Sequence, residues 1–330
     1  MKTTTINDLL HDKHLVNNTS FQGAVAKKPL RIVYGETYDS YGLTLDSLKY
    51  YFFTAMAAQL LAGQGASTEA SVIIGDLHSV KNKIVKDKGS LLATASSRLA
   101  AINKVAKVYG LSLKVLLMSD LFEDADFKKR LAIITPIFND SKEMQDIAKK
   151  TVLQNRLSQE VQSGFQYTLE EVALITGYDI KIGPPREVHY DKLAQLLGAK
   201  VGNPDFCGVY LRPTYPLGMG FDYFITHPEI EEFGLTPYKA GSNQLQANRI
   251  VLGVTSPAEC KKLIDSSFIS TNQTLPNPVL DVYIITQLAG HFLSGKPFEI
   301  DEDLLSDTAK LKTAAYEKLM TNIFKPLGYA

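Results

Sequence analysis

The residues best suited to chemistry stand at the ends of short apolar runs. Glu36 closes "LRIVYG", Asp76 and His78 follow "ASVIIG", and Ser119 and Asp120 follow "LSLKVLLM". Carboxylates, an imidazole and a hydroxyl can hold ammonium groups or move protons when a fold gathers them at one edge. Tyr34 and Gly35 directly precede Glu36 and are candidates to line the same pocket. The stretch continues as "TYDSYGLTLDSL", a glycine-marked turn into a helix start, where Ser40, Thr44 and backbone N–H groups could hold an anion. Other reactive residue types offer less. His189 has no second ligand at i+4 and no CxxC-like partner, so no metal centre is expected. Cys207 and Cys260 are far apart and unaccompanied, and read as two buried thiols in a reducing, cytoplasmic compartment.

An alternation of strands and helices must position these residues. Residues 30–35 read as a buried strand, and 44–63 as a helix with Thr44 as cap, Asp46 at its positive end and Gly63 as its stop. Residues 70–79 and 111–120 read as two more strands, with a helix between them ending at Gly110. Such an order predicts an α/β fold, a doubly wound parallel sheet whose ligands sit beyond the strand carboxyl ends. Residues 3–16 read as a short amphipathic helix, and 121–175 as mostly helical with breaks at Pro136 and Gly164. Residues 177–198 read as strand, Gly-Pro turn and helix, and 203–243 as irregular loops over a site. "NRIVLG" (248–253) reads as a short strand. Ser256, Pro257 and Glu259 form a capping box, and helices over 277–292 and 307–325 finish the chain.

The 330 residues, 45% of them apolar, suit one large or two modest domains. Lys+Arg and Asp+Glu are equal at 35 each, so no overall field attracts nucleic acid. The N-terminal stretch "MKTTTINDLLHDKHL" has no apolar run of signal-peptide length, and nothing in the chain approaches the ~20 residues of a membrane span.

Four segments, in order, carry a family resemblance. They are "LLAGQGASTEASVIIGDLHSVKNKIVKDKG", "YGLSLKVLLMSDLFED", "GYDIKIGPPREVHYDKLAQLL", and a tail made of "RIVLGVTSPAECKKLIDSSF", "NPVLDVY" and "KLKTAAYEKLMTNIFKPL". Together they resemble the class I aminoacyl-tRNA synthetases, in the archaeal and eukaryotic form of the tyrosyl/tryptophanyl branch. The resemblance implies a Rossmann-like catalytic domain over 30–245 after an N-terminal extension (1–29). It also implies a helical insertion at about 121–165 used for homodimerisation, and a short C-terminal helical domain over 246–330. It implies activation of an amino acid with ATP, Mg being the counterion, and transfer to tRNA.

The departures from the family pattern are as informative. The two histidines of the family's "HIGH" signature are absent, since histidine stands only at 11, 14, 78, 189, 227 and 291. The mobile "KMSKS" loop corresponds to "YKAGSNQLQAN", where Lys239 and Ser242 are the candidate remnant, against an ordinary polar loop. Phe165, Leu169 and Val172 fall where tyrosyl enzymes carry their polar substrate ligands, while Tyr167, Glu170 and Glu171 lie on the same helix. His78 matches a residue that lines the family's site, and Glu187 is a candidate ammonium ligand or else a surface carboxylate. Gly183, in the turn after the fourth strand, joins Thr44 as a candidate nucleotide contact. The segment before the last helix is compressed into "GKPFEIDEDLLSDTAK", which weakens the expectation of anticodon reading.

Three readings stay open: altered amino-acid activation, ATP-independent use of charged tRNA as in cyclodipeptide synthases, and a non-catalytic binding module. The retained Asp76, His78 and Ser119 favour the first.

Overall fold

The computed structural model describes residues 3–5, 29–36, 42–63, 67–76, 88–155, 161–182, 193, 196–197, 209–213, 221–225, 250–267 and 278–329. Strand β1 (Thr3–Thr5) comes first, then β2 (Leu30–Glu36), helix α1 (Leu45–Gly63), β3 (Thr68–Ile74), α2 (Lys88–Tyr109) and β4 (Lys114–Leu117). Helices α3 (Met118–Leu121), α4 (Ala125–Asn139), α5 (Lys142–Asn155) and α6 (Val161–Ile175) follow, then β5 (Ile180–Ile182), β6 (Val209–Pro213) and β7 (Phe221–Ile225). The tail holds α7 (Pro257–Ser266), α8 (Pro278–Ser294), β8 (Glu299–Asp301), α9 (Glu302–Leu305) and α10 (Thr308–Leu319). It ends in a π-helical turn (Met320–Phe324) and α11 (Lys325–Leu327).

The main sheet has the order β4-β3-β2-β5-β6-β7, parallel except for β7. It is the expected α/β doubly wound sheet. Side-chain alternation along β2 divides its residues between two faces. Leu30, Ile32 and Tyr34 join the core under α1 and α2, whereas Val33 joins the core formed with α4 and α6. The first core continues into the tail: Ile250, Ile264, Tyr283, Leu311 and Phe324 are buried in the same cluster as α1 and α2.

Several local expectations need correction. Residues 3–5 form a strand paired with β8 rather than the start of a helix, as three β-branched threonines favour. The apolar run 111–120 is a strand only over 114–117; its end turns into α3, so Ser119 and Asp120 are helical. Pro136 lies within α4 and Gly164 within α6. A proline in the last turn removes only one hydrogen bond, and the Pro136 carbonyl accepts from Asp140 N instead (3.0 Å). "RIVLG" contributes one bridge, Val251 to Thr44, before a turn. The capping box is present, with Ser256 accepting from Glu259 N and Glu259 from Ser256 N. Cys260 is buried, and burial raises its thiol to about 12. No helix among the described residues is long and apolar enough to cross a membrane.

Candidate functional site

The chain winds outward from β2 to β3 and β4, then returns across β2 to β5 and winds the other way. The carboxyl ends of β2 and β5 therefore flank a topological switch point, where such sheets open a crevice for ligands. Gly35 stands at this end of β2. It is exposed, and a Cβ there would meet no described atom within 4 Å. The next residue, Glu36, turns to the other face and is 3% exposed.

Glu36 is the centre of a buried polar junction between β2, α1 and α2. Its Oε1 accepts from Ser47 Oγ (3.2 Å) and lies 3.7 Å from Arg98 Nη1. The phenols of Tyr34 and Tyr51 are adjacent, and burial holds both well above the usual tyrosine range. Burial also pushes the Glu36 carboxyl up to about 7, against the opposing pull of Arg98. Tyr34 stacks on Tyr50 with ring centroids 4.9 Å apart. Buried Lys49 lies 5.2 Å from the Tyr50 ring and is paired with Asp46 (2.7 Å) and Asp281 (3.5 Å).

None of Ser47, Tyr51 and Arg98 stood out in the sequence, although signals existed. Ser47 and Tyr51 are four apart on one helix face. Arg98 is a charge on the buried stripe of α2, flanked at −3 and +4 by Ala95 and Ile102.

The start of α1 does not fit a phosphate. Thr44 is engaged as the cap, its Oγ1 accepting from Ser47 N (3.1 Å), and Leu45 N donates to Ile250 O (3.1 Å). Asp46 adds a negative charge to the first turn. The cations at hand, Lys49 and Arg98, lie against carboxylates. Among the described residues, nothing here would take the triphosphate of ATP without displacing these partners.

Asp76 and Ser119 are brought together. Ser119 donates its N–H (2.8 Å) and its hydroxyl (2.5 Å) to the two Asp76 oxygens, and Asp76 is fully buried. Tyr167 and Glu171 are half-buried on α6, across the sheet from Tyr34, and Tyr167 packs on the core that holds Val33. Leu169 and Val172 are buried in that core. Alternation thus separates Tyr34 and Glu36 from the α6 residues by the thickness of the sheet. His78, Gly183, Glu187, Lys239 and Ser242 lie outside the described residues, as does Ser40.

No protein-family model matches the chain, and no curated protein sequence does. Solved structures do. The tyrosyl-tRNA synthetase of Archaeoglobus fulgidus, complexed with L-tyrosine, matches at a TM-score of 0.63 and 17% identity, covering 95% of each chain. The Pyrococcus horikoshii tyrosyl enzyme, also with L-tyrosine, matches at 0.60 and 16%, covering 100% of this chain and 92% of the other. The fold is that of the tyrosyl- and tryptophanyl-tRNA synthetases. The tryptophanyl-tRNA synthetase of Aeropyrum pernix K1 agrees at 0.54 and 9%, over 99% of this chain and 92% of its own. The synthetase fold thus spans nearly the whole chain, tail included, and accounts for the sheet order and for the helices covering both faces.

Proposed function

We propose that this chain is a synthetase-like protein that binds an amino acid, or a close analogue, in the crevice at the carboxyl ends of β2 and β5. The observation that carries this reading is the pairing at the switch point of an exposed Gly35 with a buried carboxylate, Glu36. The glycine leaves room for a ligand to approach the backbone, and the carboxyl supplies a fixed polar group beside it. The two tyrosyl enzymes of like fold hold L-tyrosine.

Activation with ATP is the finer form of this reading and assigns pyrophosphate binding to Lys239 and Ser242. Use of an amino acid without ATP, by transfer from charged tRNA or as simple binding, is favoured by the engaged amides of Leu45 and Ser47. Thermal-shift measurements with each standard amino acid, with and without ATP, separate these. Stabilisation by an amino acid alone supports binding without activation; a further shift with ATP, and amino-acid-dependent pyrophosphate exchange lost in Lys239→Ala, supports activation. Absence of any amino-acid effect would sink the reading.

A further inference from the structure

β8 stands apart from the six-stranded sheet, and among the described strands it pairs with β1 alone. The ladder is antiparallel and short: Thr3 faces Asp301, Thr4 faces Ile300 and Thr5 faces Glu299. β8 owes its place to other contacts. Phe298, directly before it, is buried in the core shared by α1, α2 and the tail. Gln287 of α8 donates its amide to Glu299 O (2.8 Å), and the buried Tyr283 phenol lies against the Asp301 backbone. Asp301 also caps α9, its carboxylate accepting from Asp303 N (3.0 Å). The strand is thus fixed from α8 and at both its ends, and its edge is a preformed template for pairing. Its occupant is far less committed. A two-stranded ribbon is marginal by itself in water, and Thr3–Thr5 join no other described strand.

Charge describes what fits this edge. Carboxylates stand at Glu299, Asp301, Glu302 and Asp303. Among the described residues no cation pairs with Glu299, Asp301 or Asp303, and the next lysine along the chain, Lys310, is taken by Asp307 (3.1 Å). In the sequence, Lys2 directly precedes the docked threonines. Carboxylates along an edge exclude indiscriminate pairing and admit a strand that brings positive charge.

We propose that the edge of β8 is a peptide-docking site of the strand-addition kind, with Thr3–Thr5 as its resident and exchangeable occupant. Its partner is an extended segment of another protein, with Lys or Arg beside β-branched residues and no proline among them. Backbone hydrogen bonds supply the affinity, and the carboxylates select by charge. Residues 6–29 lie between the docked strand and β2, so a partner competes with a tethered ligand and must exceed its effective concentration. The site belongs to the tail and is independent of the amino-acid reading, which stands whether or not β8 takes a partner.

The test removes the resident strand and offers it back. A labelled peptide of residues 2–7, KTTTIN, is titrated by fluorescence anisotropy into the full chain and into a chain lacking residues 1–7. It is expected to bind the shortened chain at least about tenfold more tightly than the full chain. Thr3→Pro together with Thr5→Pro in the peptide should abolish binding, and Lys2→Glu should weaken it several-fold. Glu299→Lys, at an exposed position of the shortened chain, should reverse the preference between KTTTIN and its Lys2→Glu form. Circular dichroism and the melting temperature report whether the shortened chain is folded. If it is not, Thr3→Pro with Thr5→Pro in the full chain frees the same edge. A folded chain with a freed edge that ignores KTTTIN, or that binds the proline peptide equally well, overturns the proposal. Equal binding of the Lys2→Glu peptide overturns the selection by charge.

Discussion

Ser119, itself half-buried, grips both oxygens of the fully buried Asp76 carboxylate, one with its backbone N–H and one with its hydroxyl. The pair ties the end of β3 to the first turn of α3, so two rim residues that looked like ligands brace each other. Ser119→Ala removes a hydrogen bond to a charged acceptor and is expected to lower stability by about 1.5–3 kcal/mol. Asp76→Ala should lose more, because it strands two donors and opens a cavity. Urea unfolding monitored by circular dichroism measures both; a neutral Ser119→Ala would return Asp76 to the list of candidate ligands.

Glu36 predicts a pH profile of stability. Burial moves its carboxyl to about 7 in the folded protein from the ordinary 4.5, so between those values the folded state holds a proton that the unfolded state has lost. Its contribution is therefore complete below about pH 4.5 and falls as the pH rises to 7, by about 3 kcal/mol at most. Glu36→Gln should flatten this window, and unfolding free energies of the two proteins at pH 4.5, 6 and 7.5 test it through their difference.

At the tail, the π-helical turn exposes the Asn322 carbonyl to the Tyr109 hydroxyl of α2 (2.7 Å), while the Asn322 amide donates to Thr286 O on α8 (3.0 Å). Tyr109→Phe should cost about 1 kcal/mol. Gly290→Ala would place a Cβ 2.7 Å from Asn322 Nδ2 and push that amide off Thr286. The two changes share Asn322, so a double-mutant cycle should show them to be non-additive.

Phe52 joins α1 to both neighbours, edge-on to Tyr109 (4.9 Å between centroids) and stacked on Phe292 (5.6 Å). Phe52→Ala empties a fully buried position and is expected to cost about 3–5 kcal/mol. A melt that splits into two transitions in this variant would show that the tail and the sheet unfold together only through this contact.

The sheet was legible at β2, β3 and β5, short apolar runs with a glycine at their ends, whereas β6 and β7 stand where irregular loops were expected. The first helix carries a cap and a stop that the structure reproduces at Thr44 and Gly63. Boundaries failed where one physical signal covers two states. "LSLKVLLM" is equally apolar as strand and as helix start, and only packing ends β4 at Leu117. Site residues divided along the same line. Glu36, Asp76 and Ser119 were visible as polar ends of apolar runs, whereas their partners depend on which face of the sheet each side chain takes. The i,i+2 rule puts Tyr34 with Glu36, but nothing in the sequence says that α1 and α2, rather than α6, cover that face. Arg98 is hidden for a related reason: a cation on an apolar stripe is recognised as a partner only once its carboxylate is found.

The return of the chain from β4 to β5 has a kinetic consequence. Arg31 and Asp179, which exchange hydrogen bonds beside the β2–β5 pairing, are 148 residues apart in the chain. Closing a loop of that size precedes any gain from the pairing, so this seam is expected to form late and slowly. Until residues near 180 arrive, β2 is an edge strand with unpaired backbone, and the crevice has only one wall. A fragment truncated before Asp179 should therefore neither bind ligand nor stay soluble, whatever residues it retains from the first half of the site.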